Sequence, residues 1–244
     1  MVGTKCKEDS SKVMKRVPEP ELMQDLCQVK AYAKADFSEN DDSLIKRLEE
    51  YLLLQGKKLD SNSLVIDMGC GPGNITERLS CRWPAVKIIG IDGSESMLAV
   101  ARDRKNENRG RDVLANIKYF CCDIGSIANE SMNLEKSPDL IISNSLIHHF
   151  HDPSCFWKAL KLLSIKGTVH LHRDLRRPSS YKKAIALQRL YLSDSPQVLI
   201  EDYLASLQAA FNVGEIKDQL EREGLDHFTV CENQDRYLEV VGIF

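Results

Sequence analysis

The stretch Leu64-Val65-Ile66-Asp67-Met68-Gly69-Cys70-Gly71-Pro72-Gly73-Asn74 leaves this chain few ways to fold. An apolar run ends in an acid and then in three alternating glycines, after which Ile75 to Leu79 carry the spacing of a helix. That order reads as a buried strand, a tight turn and a helix N-terminus. Glycine suits such a turn because the backbone can bend sharply and approach a ligand with no Cβ in the way. The loop is a candidate cofactor seat.

Its spacing narrows the cofactor. A dinucleotide loop runs G-x-G-x-x-G and offers backbone N–H groups to a pyrophosphate. Here Asn74 stands where the third glycine of that pattern belongs, and Pro72 removes a donor. Asp67 sets a carboxylate beside the loop, unfavourable for phosphate and favourable for a ligand with positive charge. S-adenosylmethionine carries an ammonium, a sulfonium and a carboxylate and no phosphate, and it fits better.

The same residues resemble motif I of the class I S-adenosylmethionine-dependent methyltransferases, apolar-apolar-Asp/Glu-x-Gly-x-Gly-x-Gly. The resemblance runs from about Asp60 to the C-terminus. It implies a doubly wound, Rossmann-like α/β fold: a seven-stranded sheet with an antiparallel C-terminal strand, plus N-terminal and inserted lid helices. It implies one domain over 1–244. Residues 1–58 would form a tail and N-terminal lid helices, 59–174 the cofactor core, 175–213 inserted acceptor-pocket helices, and 214–244 the last helix and closing strands.

A second strand, Val86 to Asp92, ends in an acid placed to accept the ribose hydroxyls, with Gly93 and then Ser94 as N-cap of the next helix. Met97, one turn in, is a candidate adenine contact or a core methionine. A third strand, Ile117 to Cys121, runs into Cys122-Asp123-Ile124, where the family accepts the adenine amino group and donates to the ring. Gly69, Cys70, Gly71, Gly73 and Asp67 complete the expected seat, with Asn144 and Ser145 after the fourth strand, Leu140 to Asn144. Before the loop, Glu21 to Leu26 and Ser43 to Leu54 have helical spacing, and Tyr32 between them is a candidate for the methionine end of the cofactor.

The acceptor side is less specific. Ser143-Asn144-Ser145-Leu146-Ile147-His148-His149 lacks the Pro-Pro-aromatic run of enzymes that modify base or glutamine amines, and resembles members acting on small molecules. His148 and His149 are candidates for proton chemistry near neutral pH. A metal on His148, His149 and His151 is not expected, because adjacent histidines in an extended loop point apart. His170-x-His172-x-Asp174 on the fifth strand partly resembles a metallohydrolase pattern, but Leu175 replaces its last histidine. Arg173, Arg176, Arg177, Lys182 and Lys183 gather positive charge near the sheet's carboxyl edge, either a patch for an anionic acceptor or a solvated face. Tyr181, Tyr191 and Tyr203 are candidate pocket walls. Of these, Arg173, Asp174, Arg177 and Tyr203 are the expected substrate contacts.

A net charge of −3 gives no bulk attraction for nucleic acid or anionic membranes. The polar first residues and the lack of an apolar run of about twenty point to a cytoplasmic protein. Its eight cysteines, with no Cys-x-x-Cys pair, are expected to be free thiols, mostly core filler, and residues 1 to about 17 a loose tail. The expected function is S-adenosylmethionine-dependent methyl transfer to an unidentified small acceptor, an anionic one if the basic patch faces it; the alternatives are a cofactor-binding module without transfer, and a nicotinamide-dependent oxidoreductase.

Overall fold

The computed structural model describes residues 13–19, 25–107, 114–127, 134 and 136–244. Seven strands form one sheet in the order β3-β2-β1-β4-β5-β7-β6. These are β1 (Leu64–Met68), β2 (Lys87–Asp92), β3 (Ile117–Cys121), β4 (Leu140–Asn144), β5 (Val169–Leu175), β6 (Thr229–Asn233) and β7 (Tyr237–Ile243). β1 to β5 are mutually parallel. β7 runs antiparallel between β5 and β6, giving the expected doubly wound sheet with antiparallel closure. The strand order reverses between β1 and β4, and the crevice at the carboxyl ends of those strands is where open α/β sheets bind ligands.

Side-chain alternation sends each strand's residues to two apolar layers. Ile66, Met68, Ile141, Leu238 and Val240 pack with Phe156, Trp157 and Leu160 of α5 (Ser154–Leu163) and Ile216 and Leu220 of α8 (Val213–Arg222). Val65, Ile88, Ile142, Val169 and Leu171 pack with Leu44, Leu48 and Leu52 of α2 (Ser38–Leu54) and Ile75 and Leu79 of α3 (Asn74–Arg82). The apolar face expected on α2 is buried throughout, at Leu44, Ile45, Leu48, Tyr51 and Leu52, but the helix starts one turn earlier than its periodicity suggests. α4 (Glu95–Glu107) follows β2 and ends in a charged stretch from Arg102 to Glu107.

Over the carboxyl edge of the sheet lies a cap of α1 (Leu26–Lys34), α6 (Tyr181–Tyr191) and α7 (Gln197–Ala209). α1 occupies the stretch expected between two helices. Asp25 caps it, its Oδ1 accepting from Cys27 N at 2.9 Å and Gln28 N at 3.0 Å, while most of the earlier expected helix, Glu21 to Gln24, lies outside the described residues. The N-terminal tail is likewise not loose where it is described. Met14 is buried against Leu175, Ala184 and Leu207, and its N–H donates to Ser179 O at 3.2 Å. Residues 1–12, Cys6 among them, lie outside the described residues.

Cys27, Cys70, Cys81, Cys121, Cys122, Cys155 and Cys231 are free thiols. Only Cys70 and Cys122 are buried, so most do not fill the core as expected; Cys27, Cys81 and Cys121 sit on exposed faces of otherwise ordered elements. Among the described residues no helix is long and apolar enough to cross a membrane.

Candidate active site

One cavity of about 980 Å³ runs along the carboxyl edge of the sheet, between the strand-to-helix loops and the cap. Its size is at the upper end for small-molecule and cofactor sites. The glycine loop forms its centre. Gly69 N and Cys70 N donate to Ile91 O at 2.8 and 3.0 Å, tying the loop to β2. Gly69 has φ +68°, and a Cβ there would lie 2.5 Å from Leu146 Cδ1, so the loop after β4 closes directly on the loop after β1. Gly73 has φ +88° and precedes α3. It does not line the cavity; a Cβ there would meet Tyr119 Oη at 2.6 Å, so its small size serves packing.

Asp92, at the end of β2, lines the cavity with both oxygens engaged by backbone. Oδ2 accepts from Gly71 N at 2.8 Å and Oδ1 from Ser94 N at 2.7 Å. Each carboxylate oxygen keeps a further lone pair for a hydroxyl. Burial raises the Asp92 pKa, and the two N–H groups oppose the shift. Ser94 Oγ accepts from Met97 N at 3.3 Å, as an N-cap does, which brings Gly93, Ser94 and Met97 to the cavity wall together. Asp123 and Ile124 line the same end, with Asp123 Oδ1 accepting from Gly125 N at 2.9 Å. Cys122, expected beside them, turns into the core instead.

Asp67 is 1% exposed, and its Oδ2 accepts from Thr76 Oγ1 at 2.6 Å. Burial pushes its pKa to about 7. Tyr32, Cys70, Asn144 and Ser145 also line the cavity. Burial lifts the Cys70 thiol well above its ordinary range, so it packs as a neutral thiol. Ser145 adopts φ +55°, uncommon for a residue with a Cβ, and its N–H donates to Arg173 O at 2.9 Å. Arg104 of α4 holds the seat from outside: its guanidinium donates to Pro72 O at 3.2 Å, to Asn74 Oδ1 at 2.6 Å and to Ala33 O of α1. Nothing in the local pattern around Arg104 signals that clamp.

At the other end, the loop after β4 is not extended. Ile147–His149 is a 3₁₀ turn, and the rings of His148 and His149 stack with centroids 4.3 Å apart instead of pointing away from one another. Both line the cavity. Asp174 grips His148 twice, Oδ2 accepting from its N–H at 3.1 Å and Oδ1 pairing with Nδ1. Burial pulls the His148 pKa down, but Asp174 and then Glu19 outweigh it and the net shift is upward. Glu19 Oε1 lies 3.4 Å from His148 Nε2 and 3.1 Å from His149 Nδ1. Burial raises the Glu19 pKa, His148 opposes that, and Ser206 Oγ donates to both of its oxygens at 3.1 and 3.2 Å.

The expected substrate residues divide. Tyr203 lines the cavity and so does Tyr191, whereas Tyr181 is exposed outside it. Arg173, Asp174 and Arg177 do not line it. Arg173 is 2% exposed, and its Nε and Nη2 donate to Glu239 Oε1 at 3.0 and 2.7 Å. Arg177 donates to Glu215 Oε1 at 2.5 Å and to Ala210 O at 2.8 Å. Both charges are spent inside the fold. Lys34 and Arg236 are cations of the wall; Arg236, just before β7, is held by Asn40 Oδ1 at 2.7 Å and stacked on Tyr191, with its guanidinium carbon 3.4 Å from the ring centroid. His170 and His172 face the α5 layer, where His172 Nδ1 meets Ser143 Oγ at 2.9 Å and His170 Nε2 meets Ser164 Oγ at 3.0 Å. Burial holds both neutral, lowering His170 to about 3 and His172 well below its ordinary value, so the strand's histidine pair is packing and takes no part in the cavity.

Residues 65–167 match the family described as methyltransferase domain. The match covers less than half of the chain, and with the seven-stranded sheet it supports a class I S-adenosylmethionine-dependent methyltransferase domain over those residues. Over 102 residues it is 38% identical to the malonyl-[acyl-carrier protein] O-methyltransferase of Acetivibrio thermocellus, covering 41% of this chain and 32% of that protein. Over 130 residues it is 33% identical to the trans-aconitate 2-methyltransferase of Methylobacterium nodulans, covering 52% and 45%. The chain thus spans less than half the length of these curated relatives. Among solved structures, a SAM dependent methyltransferase from Aquifex aeolicus superposes with TM-score 0.63 at 18% identity, over 90% of this chain and 98% of that one. The plantazolicin methyltransferase BpumL, in complex with a pentazolic desmethylPZN analog and SAH, superposes with TM-score 0.65 at 17% identity, over 88% of each.

Proposed function

We propose that the chain transfers the methyl group of S-adenosylmethionine to a small, anionic acceptor in the cytoplasm. The observation that carries the cofactor half is the Asp92 carboxylate, fixed by Gly71 N and Ser94 N at the mouth of a phosphate-unfriendly glycine loop. Adenosine would lie between Asp92 and Asp123, and the cationic end near Asp67, Tyr32 and Asn144. Transfer is an in-line displacement: the acceptor atom forms its bond to the methyl carbon as the carbon–sulfur bond breaks, and S-adenosylhomocysteine leaves. Alignment and exclusion of water supply much of the rate in such a step.

The cavity continues past the cofactor seat to Tyr191, Tyr203, Ser206 and Arg236, which supports an acceptor pocket over a bare binding module. Arg236 supports an anionic acceptor, because a cation enclosed among aromatic rings is a natural partner for a carboxylate. The malonyl group and trans-aconitate named for the two relatives both carry carboxylates. A carboxylate oxygen has no proton to lose when it attacks, so neither His149, whose ring lines the cavity, nor His148, locked to Asp174, need act as a base.

Calorimetric titration with S-adenosylmethionine, S-adenosylhomocysteine and NAD, followed by radiolabel transfer to a panel of small carboxylic acids, tests this reading. Binding of the first two alone and labelling of a carboxylic acid are expected. Asp92→Ala should weaken cofactor binding by about 1–3 kcal/mol through lost charged hydrogen bonds. Arg236→Met should raise the acceptor KM and leave cofactor affinity unchanged. Equal cofactor affinity in the Asp92 variant overturns the seat; labelling of neutral acceptors alone overturns the anionic class.

A further inference from the structure

We propose that Glu19, His148 and His149 form a binding site for one divalent first-row transition metal ion, of the zinc or iron(II) type, at the acceptor end of the cavity. One oxygen and two imidazole nitrogens converge there, all within 4.8 Å of one another. Ligands held about 2.0–2.1 Å from a tetrahedral zinc are separated by roughly 3.3 Å. Glu19 Oε1 stands 3.4 Å from His148 Nε2 and 3.1 Å from His149 Nδ1, which match two of the three edges such a site requires.

The surroundings hold those atoms in place. Asp174 pairs with His148 Nδ1, which fixes the tautomer and aims Nε2 at Glu19; a carboxylate behind a metal-binding histidine is the usual outer partner of such ligands. Ser206 Oγ holds the Glu19 carboxylate, and the His151 ring contacts Glu19 O through Nε2 at 2.7 Å. Two imidazoles and one carboxylate suit zinc or iron(II) and leave coordination positions for a substrate. His148 and His149 line the cavity, so those positions are reachable from it.

Charge points the same way. Glu19 and Asp174 bring two negative charges, and Arg16, which donates to Phe150 O at 2.8 Å and Ala209 O at 2.6 Å, returns one positive. An anionic acceptor arriving here without a cation meets a net negative wall whenever the His148 ring is uncharged, as it must be to ligate a metal. A divalent ion reverses that sign, and a carboxylate completing its coordination balances the charge. This consequence for the acceptor rests on the methyl-transfer reading; the binding of metal does not.

The test strips the full chain with chelator and titrates it with Co²⁺ alone and Zn²⁺ alone, following cobalt visible absorption and bound metal per chain. One ion per chain is expected. Glu19→Gln and His149→Ala should each weaken it more than about tenfold, and Asp174→Asn by about 10–100-fold. His227→Ala, away from the cluster, should bind as wild type. X-ray absorption of the zinc-loaded wild type, which needs no variant, should show two imidazole ligands and no sulfur. S-adenosylhomocysteine affinity, measured alongside, reports that each variant is folded. No stoichiometric binding at millimolar metal, sulfur ligation, or equal affinity in folded Glu19 and His149 variants overturns the site. Metal binding without cofactor binding would instead defeat the methyl-transfer reading and leave the site standing.

Discussion

Asp67 shows how one residue can be right in the sequence for a reason that only the fold completes. Its place before the glycines marks a carboxylate at the seat, but its protonation depends on burial and on Asp92 and Asp41 nearby, with Thr76 opposing. With an ordinary value of 3.8 and a folded value of about 7, the folded chain holds a proton that the unfolded chain has released across that interval. Stability contributed by this group is therefore present below pH 3.8 and is lost as pH rises through 7. Asp67→Asn has no such dependence. The melting temperature of the variant minus that of wild type should rise from pH 4 to 7 and level off above; a flat difference would show that Asp67 is already ionised. S-adenosylmethionine, with its ammonium and sulfonium, favours the carboxylate, so its binding at pH 6.5 should release a proton, read as a binding enthalpy that varies with the buffer's ionisation enthalpy.

At the scale of elements, the glycine loop separates two jobs that its spacing presents as one. Gly71 has φ +52° with open space where a Cβ would go, and it lines the cavity; Gly73 lies outside the cavity with Tyr119 in the way. Both alanine variants pay for a left-handed backbone, about 1–2 kcal/mol. Gly73→Ala adds a steric clash, so urea unfolding should find it the less stable of the two, while Gly71→Ala should lose more cofactor affinity per unit of stability lost. The strands were legible because their apolar runs are short and bounded, and β3 lies where its residues suggest. α1 was not, because Ala31-Tyr32-Ala33-Lys34 has a weak apolar stripe and its cap, Asp25, has no special context. The acceptor site was least legible. Composition shows that Arg173, Arg177 and Arg236 are charged, but only tertiary contacts show that Glu239 and Glu215 consume the first two. Glu19 meets His148 across 129 positions of chain, a pairing for which no local pattern exists.

For the whole molecule, the division between a two-layered sheet core and a cap decides how a ligand should be felt. Phe156 and Trp157 are wholly buried, and Trp157 Nε1 donates to Gln219 Oε1 at 2.9 Å, joining α5 to α8. The polar ties of α1 are part-buried where that one is buried: Gln28 Nε2 to Asp202 Oδ1 at 2.8 Å links α1 to α7, and Arg104 links α1 to the loop. A ligand that binds only the folded chain adds about 2.7 kcal/mol at a hundred times its Kd. For a domain of this size that is a rise in Tm of about 5–10 °C. Regions that open locally exchange their amide protons within minutes, whereas those that open only with the whole fold are already protected on that scale. S-adenosylhomocysteine should therefore slow early hydrogen exchange in Leu26–Lys34 and Gln197–Ala209 and leave Ser154–Leu163 and Val213–Arg222 unchanged in the first minutes. Because the cofactor seat reaches Tyr32 from one side and the glycine loop from the other, protection confined to the loop, with α1 exchanging as before, would mean that the cap does not close on the cofactor.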